Sequence, residues 1–171
     1  MNKNQMREII QLTLGAIHFF NYSRRQFAKL ANDPKQTKIK DLAGRFDDLK
    51  WSTIDKDLLI LVSNLSCYAI RISTIYEILN YKPSNEELYK RKPLNPKNIC
   101  FFLRDNIAHK EPGIEDKKHY RNRQDFLDKL TIQQLYEYVR NAHIEYKKMI
   151  LEFSKNYKLL QKFLNIKIKN I

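Results

Sequence analysis

Apolar residues recur along most of the chain at alternating spacings of three and four, the period of a helix that packs by one face. The first such stretch runs from about Lys3 to Leu30, and the pair Asp33-Pro34 marks its end. A polar stretch, 35–50, follows and is predicted to hold a short helix around Asp41–Leu49. The chain therefore begins with one long helix and a polar connection.

The second helix has the clearest pattern. Ser52 or Thr53 is a suitable N-cap, and Pro83 is predicted to stop the far end. A heptad seam runs along it, formed by Leu58, Leu61, Leu65, Tyr68, Ile72, Ile75 and Leu79. Additional apolar residues beside the seam widen the buried stripe, as a central bundle helix requires.

Two more helices are predicted in the second half. The third runs from Lys97 to about His109, between stretches rich in helix breakers. Thr131 and Gln134 have capping-box spacing and open a long fourth helix that continues towards Phe163. The tail 165–171 alternates Ile with Lys or Asn, and we expect it to fray or to form a short strand on a partner.

These patterns predict an all-α fold, an up-and-down bundle of four main helices with one or two short extra helices. One domain is expected to span 1–171, because the length suits a single core. His18 and His143 fall within the periodic helices and are expected to be hydrogen-bonded packing residues. Core positions are also expected for the aromatic seam residues Tyr68, Tyr76, Tyr136 and Tyr146.

The formal net charge of +13 favours polyanionic partners such as RNA, DNA or an acidic lipid surface. The charge is uneven, because 51–80 holds two basic against three acidic residues while the segments on both sides are strongly basic. A nearly uncharged central helix inside a basic shell is therefore predicted. Lys, Asn and Ile are all abundant, as in AT-rich coding sequences, so a surface that is basic without any ligand also stays open.

Several classes of function are disfavoured. Cys67 and Cys100 are too few for a disulfide framework or a Cys-rich zinc site, and they fit a reducing, cytoplasmic compartment. No HExxH, CxxC or P-loop motif is present, so neither a metal nor another cofactor is expected. The apolar run Leu58–Ile70 falls short of the roughly 20 residues of a membrane span. No membrane association is therefore expected, and the first helix lacks the cleavage site of a signal peptide.

One pair of residues indicates chemistry. Arg104 and His109 lie in the otherwise apolar third helix, with four residues between them. A His can move a proton near neutral pH, and an Arg can hold a phosphate with two hydrogen bonds while neutralising transition-state charge. RNA carries its own nucleophile, the 2′-hydroxyl, so neither a metal nor a protein nucleophile is needed. The pair is suited to metal-independent phosphodiester cleavage.

This segment resembles the HEPN superfamily (higher eukaryotes and prokaryotes nucleotide-binding domains). In that family an Arg, usually followed by a polar residue, precedes a His after four to six intervening residues, and Arg104, Asp105 and His109 match. The resemblance implies an all-α endoribonuclease of toxin–antitoxin, abortive-infection or CRISPR systems. It implies that Arg104 and His109 are catalytic and supported by Asp105 and, more weakly, Asn106. It also implies a homodimer in which both copies of the pair share one cleft.

Helix geometry bears on that cleft. Residues five positions apart on a regular helix are about 140° apart around the axis and about 7.5 Å apart along it. One regular helix therefore does not aim Arg104 and His109 at the same phosphate, so either the helix distorts near Ala108 or a second protomer completes the site. We favour the second protomer. Glu111 stands where some family members carry a Tyr modified by a nucleotidyltransferase antitoxin, so an antitoxin of that type is not implied, while another antitoxin or defence-system partner stays open.

The basic loop after the third helix supplies the candidate RNA contacts Lys110, Lys117, Lys118, His119, Arg121 and Arg123. Three functions remain open: a HEPN-type endoribonuclease, a non-catalytic RNA- or nucleotide-binding module, and a helical protein-interaction adaptor. In the last two, Arg104 would pair with a carboxylate such as Glu77 across the bundle. His109 would then act only as a helix C-terminal residue favoured by the helix dipole.

Overall fold

The structure, a computed structural model, describes residues 1–42, 52–81, 83, 96–108 and 126–167. The helices in chain order are α1 (Lys3–Lys29), α2 (Asn32–Lys35), α3 (Thr53–Ile78), α4 (Pro96–Ala108), α5 (Ile132–Ser154) and α6 (Lys158–Lys167). Residues 39–42 and 126–129 are also helical. Over these ranges there is no strand, only an isolated bridge between Lys38 and Thr131, and the all-α prediction is confirmed.

The predicted helix starts are confirmed by their caps. Ser52 and Thr131 are the N-caps of α3 and α5, and each forms a capping box with the residue three positions later, Asp55 or Gln134. Asn2 caps α1 in the same way. In each box the N-cap side chain accepts from the backbone N–H three residues later, and the side chain of that later residue accepts from the N-cap N–H. Two backbone donors that the helix leaves unpaired are thereby satisfied.

The end of α3 differs from the prediction. The helix ends at Ile78, well before Pro83, because Asn80 adopts the left-handed backbone conformation with φ of 59°. The Asn80 N–H donates to the Glu77 carbonyl and the Tyr81 N–H to the Tyr76 carbonyl, at 2.9 and 2.8 Å. This is the Schellman pattern, and it ends the helix without a proline.

The predicted long fourth helix is wrong in one respect, because it is broken into α5 and α6. The Ser154 hydroxyl donates to the Leu151 carbonyl at 2.7 Å. The next backbone N–H groups then bond three residues back, as Tyr157 does to Ser154, which tightens the chain into a turn. Helix α6 continues into the predicted tail as far as Lys167, and 168–171 lie outside the described residues.

Helix α3 lies at the centre of the core, with α1, α4 and α5 packed against it. Its seam residues from Leu58 to Ile75 are fully buried, and Leu79 is half-buried. Helix α1 runs opposite to α3, because the Asn64 amide donates to Gln26 while Arg71 lies against Gly15. A β-carbon at residue 15 would lie 2.5 Å from the Arg71 Nε, so the glycine permits this close approach.

Helix α4 is buried on every side over its middle. Every residue from Ile99 to Leu103 is at most 4% exposed, because α3 and α5 both pack against the helix. Phe101 contacts the rings of Tyr76 and Tyr81, and the Tyr81 hydroxyl donates to Asn98 at 2.9 Å. These contacts fix the position and rotation of α4 against the end of α3.

Of the helices that the structure describes, α3 alone is long and apolar enough to cross a membrane by length and composition. Other parts of the protein bury 44% of its most apolar window. A packed core helix has this composition as well, and the buried seam accounts for it here.

The central role of α3 gives the first prediction. Ile72 is fully buried and Ile60 is 42% exposed on the same helix. We expect Ile72→Ala to lower the free energy of unfolding by about 2–5 kcal/mol, because it removes buried methylene groups and leaves a cavity. The matched variant Ile60→Ala should cost less than about 1 kcal/mol. Urea unfolding followed by circular dichroism measures both, and equal losses would contradict the central placement of α3.

Candidate functional site

Arg104 lies near the end of α4, where it forms an ion pair with α3. Its Nη1 atom is 2.7 Å from the Glu77 Oε1 atom, and the Arg104 side chain is 19% exposed. The guanidinium also lies over the ring of Phe101, with 5.1 Å between the Cζ atom and the ring centroid. The pairing with Glu77 across the bundle, which the sequence left open, is therefore present.

Local sequence explains why the guanidinium lies there. Every residue from Ile99 to Leu103 is buried, so Arg104 is the first residue of α4 after them to reach partial exposure. Glu77 stands in the last turn of α3, where the negative end of the helix dipole opposes a carboxylate. The Arg104 cation relieves that repulsion, so helix packing and electrostatics favour the same position.

Most residues that the sequence associates with Arg104 lie outside the described part of the chain. Asp105 and Asn106 belong to α4, but their side chains lie outside the described residues. The candidate RNA contacts and the second catalytic residue lie outside them altogether: His109, Lys110, Lys117, Lys118, His119, Arg121 and Arg123. The Arg104–His109 pair therefore stays a prediction.

The two histidines of the periodic helices differ. His143 is 5% exposed, its Nδ1 lies 3.2 Å from the Tyr68 hydroxyl, and its ring stacks on Phe20 at 3.9 Å between centroids. The prediction of a hydrogen-bonded packing residue is confirmed for His143. It is wrong for His18, which is exposed on the outer face of α1 and touches only the edge of Phe19 among the aromatic rings described.

The four tyrosines predicted as core residues, Tyr68, Tyr76, Tyr136 and Tyr146, are all buried, so that prediction is confirmed. The Tyr146 hydroxyl is 2.6 Å from the Thr13 hydroxyl. Tyr76 differs from it, because its hydroxyl is buried without a hydrogen-bond partner.

Tyr76 also lines a groove of about 770 Å³ between the end of α3 and α5. Ion pairs within α5 and just beyond it line or border this groove: Glu145 with Lys148, and Glu152 with Lys155.

Burial and nearby cations set the charge of His143. Burial and, to a smaller extent, the cations Lys147 and Arg24 together lower the pKa of its imidazole to about 4. Burial also raises the pKa of the Tyr68 hydroxyl well above its ordinary value. Both groups are therefore neutral at neutral pH, and the Tyr68 hydroxyl can donate to the Nδ1 atom of His143.

Next to His143, a smaller cavity of about 290 Å³ opens between α1 and α5. Sequence reasoning missed this site. Its basic residues, Arg24, Arg140 and Lys147, stand three or four positions from the buried residues Phe20, Tyr136 and His143 on the same helices. That spacing was a readable signal, because residues three or four apart share a helix face.

Among the described residues, no three His, Cys, Asp or Glu side chains converge to hold a metal ion. Both cysteines are free, and Cys100 is fully buried. The chain matches no protein-family model, no curated protein and no solved structure.

Burial of the His143 imidazole predicts that the folded protein loses stability as the pH falls. The pKa of His143 is about 4 when folded and about 6.5 when unfolded, so the unfolded chain binds the extra proton first as pH falls. Stability should be unaffected above pH 6.5 and should fall between pH 6.5 and 4 by roughly 3 kcal/mol through this group.

Urea unfolding across that range, compared with His143→Gln, isolates the contribution of His143, because the other titrating groups are common to both proteins. Between pH 6.5 and 4, the free energy of unfolding of the variant should fall less steeply with pH than that of the wild type. An identical pH dependence of the free energy of unfolding in the two proteins would show that the fold does not hold His143 neutral.

The Arg104–Glu77 pair predicts a small stability effect. We expect Glu77→Gln to cost less than about 1 kcal/mol, because partly exposed ion pairs contribute little. Glu145→Gln, which removes the pair with Lys148 inside α5, provides the comparison. A loss above 2 kcal/mol for Glu77→Gln alone would show that the pair holds α4 against α3 rather than only orienting Arg104.

Proposed function

We propose that the protein is a metal-independent endoribonuclease of HEPN type that acts as a homodimer in phage defence or as a toxin. The observation that carries the proposal is the placement of Arg104. Its guanidinium is oriented by Glu77 and Phe101 and lies one turn before Ala108, the last residue of α4, which His109 follows in the sequence. The proposal pairs this oriented cation, as the group that binds phosphate, with His109 as the group that transfers the proton.

The proposal includes a HEPN-like, up-and-down arrangement of the four main helices α1, α3, α4 and α5. Opposite directions of neighbouring helices support it. Along α1 and α5, Thr13 contacts Tyr146 while Phe27 stacks on Tyr136, so the two helices run in opposite directions. Along α3 and α4, Tyr81 bonds Asn98 while the earlier Glu77 pairs with the later Arg104.

The proposed reaction needs only these residues and RNA. The imidazole of His109 takes the proton of the ribose 2′-hydroxyl, whose oxygen attacks the adjacent phosphorus. The bond from phosphorus to the 5′-oxygen breaks, and a proton from a second imidazole neutralises that oxygen. The products carry a 2′,3′-cyclic phosphate and a 5′-hydroxyl. Arg104 neutralises the charge that builds on the non-bridging oxygens.

A dimer supplies what one chain lacks. One His109 is the base and the His109 of the second copy is the acid, so a shared cleft completes the set. The net charge of +13 supports electrostatic attraction of RNA to such a cleft. Glu77 then has two effects. It orients the Arg104 guanidinium in the free protein, and it competes with the phosphate for the guanidinium N–H groups when RNA binds.

The same ion pair supports a second function, a non-catalytic RNA-binding module. An Arg104 that stays bonded to Glu77 would serve the packing of α4, and the basic residues would bind RNA without cleaving it. In that case RNA binding weakens as salt rises and no product forms.

Cleavage of RNA in the presence of EDTA tests the proposal. We expect the wild-type protein to give fragments with 2′,3′-cyclic phosphate ends, identified by mass spectrometry. His109→Ala and Arg104→Ala should each lower the rate at least a hundredfold, because general acid–base catalysis and charge stabilisation each contribute about that much or more.

Two exposed residues of α1 provide matched controls, His18→Ala and Arg7→Ala, and both should cleave like wild type. Circular dichroism must show the same helical signal for every variant. Cleavage by His109→Ala at the wild-type rate would overturn the assignment. Binding of RNA by wild type without any product would favour the non-catalytic module.

A further inference from the structure

The cavity between α1 and α5 has an excess of positive charge. Arg24 enters it from α1, and Arg140 and Lys147 enter it from α5. None of the three forms an ion pair with a carboxylate in the described part of the chain. Three like charges around about 290 Å³ repel one another, and an anion between them would remove that repulsion.

The cations of the cavity act electrostatically on the same two residues of α5. Arg24 and Arg140 both lower the pKa of the Tyr136 hydroxyl, against the larger effect of burial, which raises it. Arg24 also acts with Lys147 on His143. Arg24, Tyr136 and His143 all line the cavity together with Arg140 and Lys147, so these effects follow from the shared location.

One residue that lines the cavity has a buried polar atom without a partner. Asn21 lines it, and the Asn21 Oδ1 atom is buried without a hydrogen-bond partner. A half-turn of the amide exchanges this oxygen for the NH₂ group, which then presents donors. An oxyanion in the cavity would accept a hydrogen bond from that NH₂ group.

The aromatic walls limit what fits. The Phe20 ring stacks on His143 at 3.9 Å, and the Tyr136 ring stacks on Phe27 at 4.0 Å between centroids. Phe20, Tyr136 and His143 are each at most 8% exposed, so they leave little ring surface for a nucleobase to stack on. A small volume lined by guanidinium groups suits a compact oxyanion, because guanidinium binds phosphate with two parallel hydrogen bonds.

We propose that the α1–α5 cavity binds a compact phosphate group through Arg24, Arg140 and Lys147, with Asn21 as a further donor. The phosphate is carried either by a small oligophosphate or by the end or backbone of a nucleic acid. The site uses neither Arg104 nor the residues that follow α4. It therefore stands whether or not the protein cleaves RNA.

Titration with inorganic pyrophosphate, followed by calorimetry at low salt, tests the site. We expect saturable binding with one anion per chain. Arg24→Gln and Arg140→Gln should each weaken it at least tenfold. Arg25→Gln is the matched control, because it removes the same charge from the next, exposed residue of α1, which does not line the cavity, and it should change the affinity less than twofold.

The His143 imidazole gives a readout inside the cavity. Its facing charges are Arg24 on α1 and Arg140 and Lys147 on α5, and its neutral partner is Tyr68 on α3. A bound anion offsets the cations, so the pKa of His143 should rise with pyrophosphate in an NMR titration and should rise less in Arg24→Gln. A merely solvated basic surface would leave it unchanged.

Competition by short RNAs separates the sources of the phosphate. Displacement of pyrophosphate by 5′-phosphorylated RNA but not by 5′-hydroxyl RNA assigns a terminal phosphate, displacement by both assigns the backbone, and displacement by neither assigns a small oligophosphate. No binding at millimolar pyrophosphate would overturn the proposal. An equal loss in Arg25→Gln would overturn it as well, because binding would then follow net charge alone. Repeating the titration with His109→Ala keeps this test independent of catalysis.

Discussion

Burial of the apolar seam of α3 is the constraint on which the rest of the structure depends. This helix exposes too much apolar surface for one neighbour to cover, so α1, α4 and α5 all pack against it. Their packing brings α1 beside α5, which creates the basic cavity, and presses α4 into the core, which leaves Arg104 at its edge. Both candidate sites are consequences of covering one helix.

Most polar groups of the described core have a hydrogen-bond partner, although the Tyr76 hydroxyl has none. The Tyr68–His143 and Thr13–Tyr146 contacts join α3 to α5 and α1 to α5, so buried hydroxyls do not remain unsatisfied there. The cations, in contrast, lie where the helices reach solvent. Arg104 is neutralised by a carboxylate of α3, whereas Arg24, Arg140 and Lys147 meet no carboxylate among the described residues. The fold itself therefore neutralises Arg104, whereas the three cations of the cavity would gain a counter-charge only from a bound anion.

Periodicity and capping residues were sufficient to predict the long helices, their starts at Ser52 and Thr131, and the buried seam. Helix ends were harder, because the Schellman turn at Asn80 and the Ser154 side-chain bond arise from single residues in a particular conformation. For Arg104 the sequence supported two interpretations, a catalytic residue that binds phosphate and an ion pair with Glu77, and it did not decide between them. The basic cavity was missed, since a period shows which residues share a face but not which face of another helix they meet. For the same reason His18 and His143 were expected to be alike.

The proposed catalytic cleft around Arg104 and His109 is completed by two chains, one supplying the base and the other the acid. Mixing wild-type protein with a large excess of His109→Ala protein is the sharpest test, because almost every wild-type chain then forms a mixed dimer that has only one His109. RNA cleavage in EDTA should fall at least tenfold relative to the same amount of wild-type protein alone, because the mixed dimer lacks either the base or the acid. Cleavage that stays at the level of wild type alone, in a mixture shown to contain mixed dimers, would contradict a cleft shared between protomers.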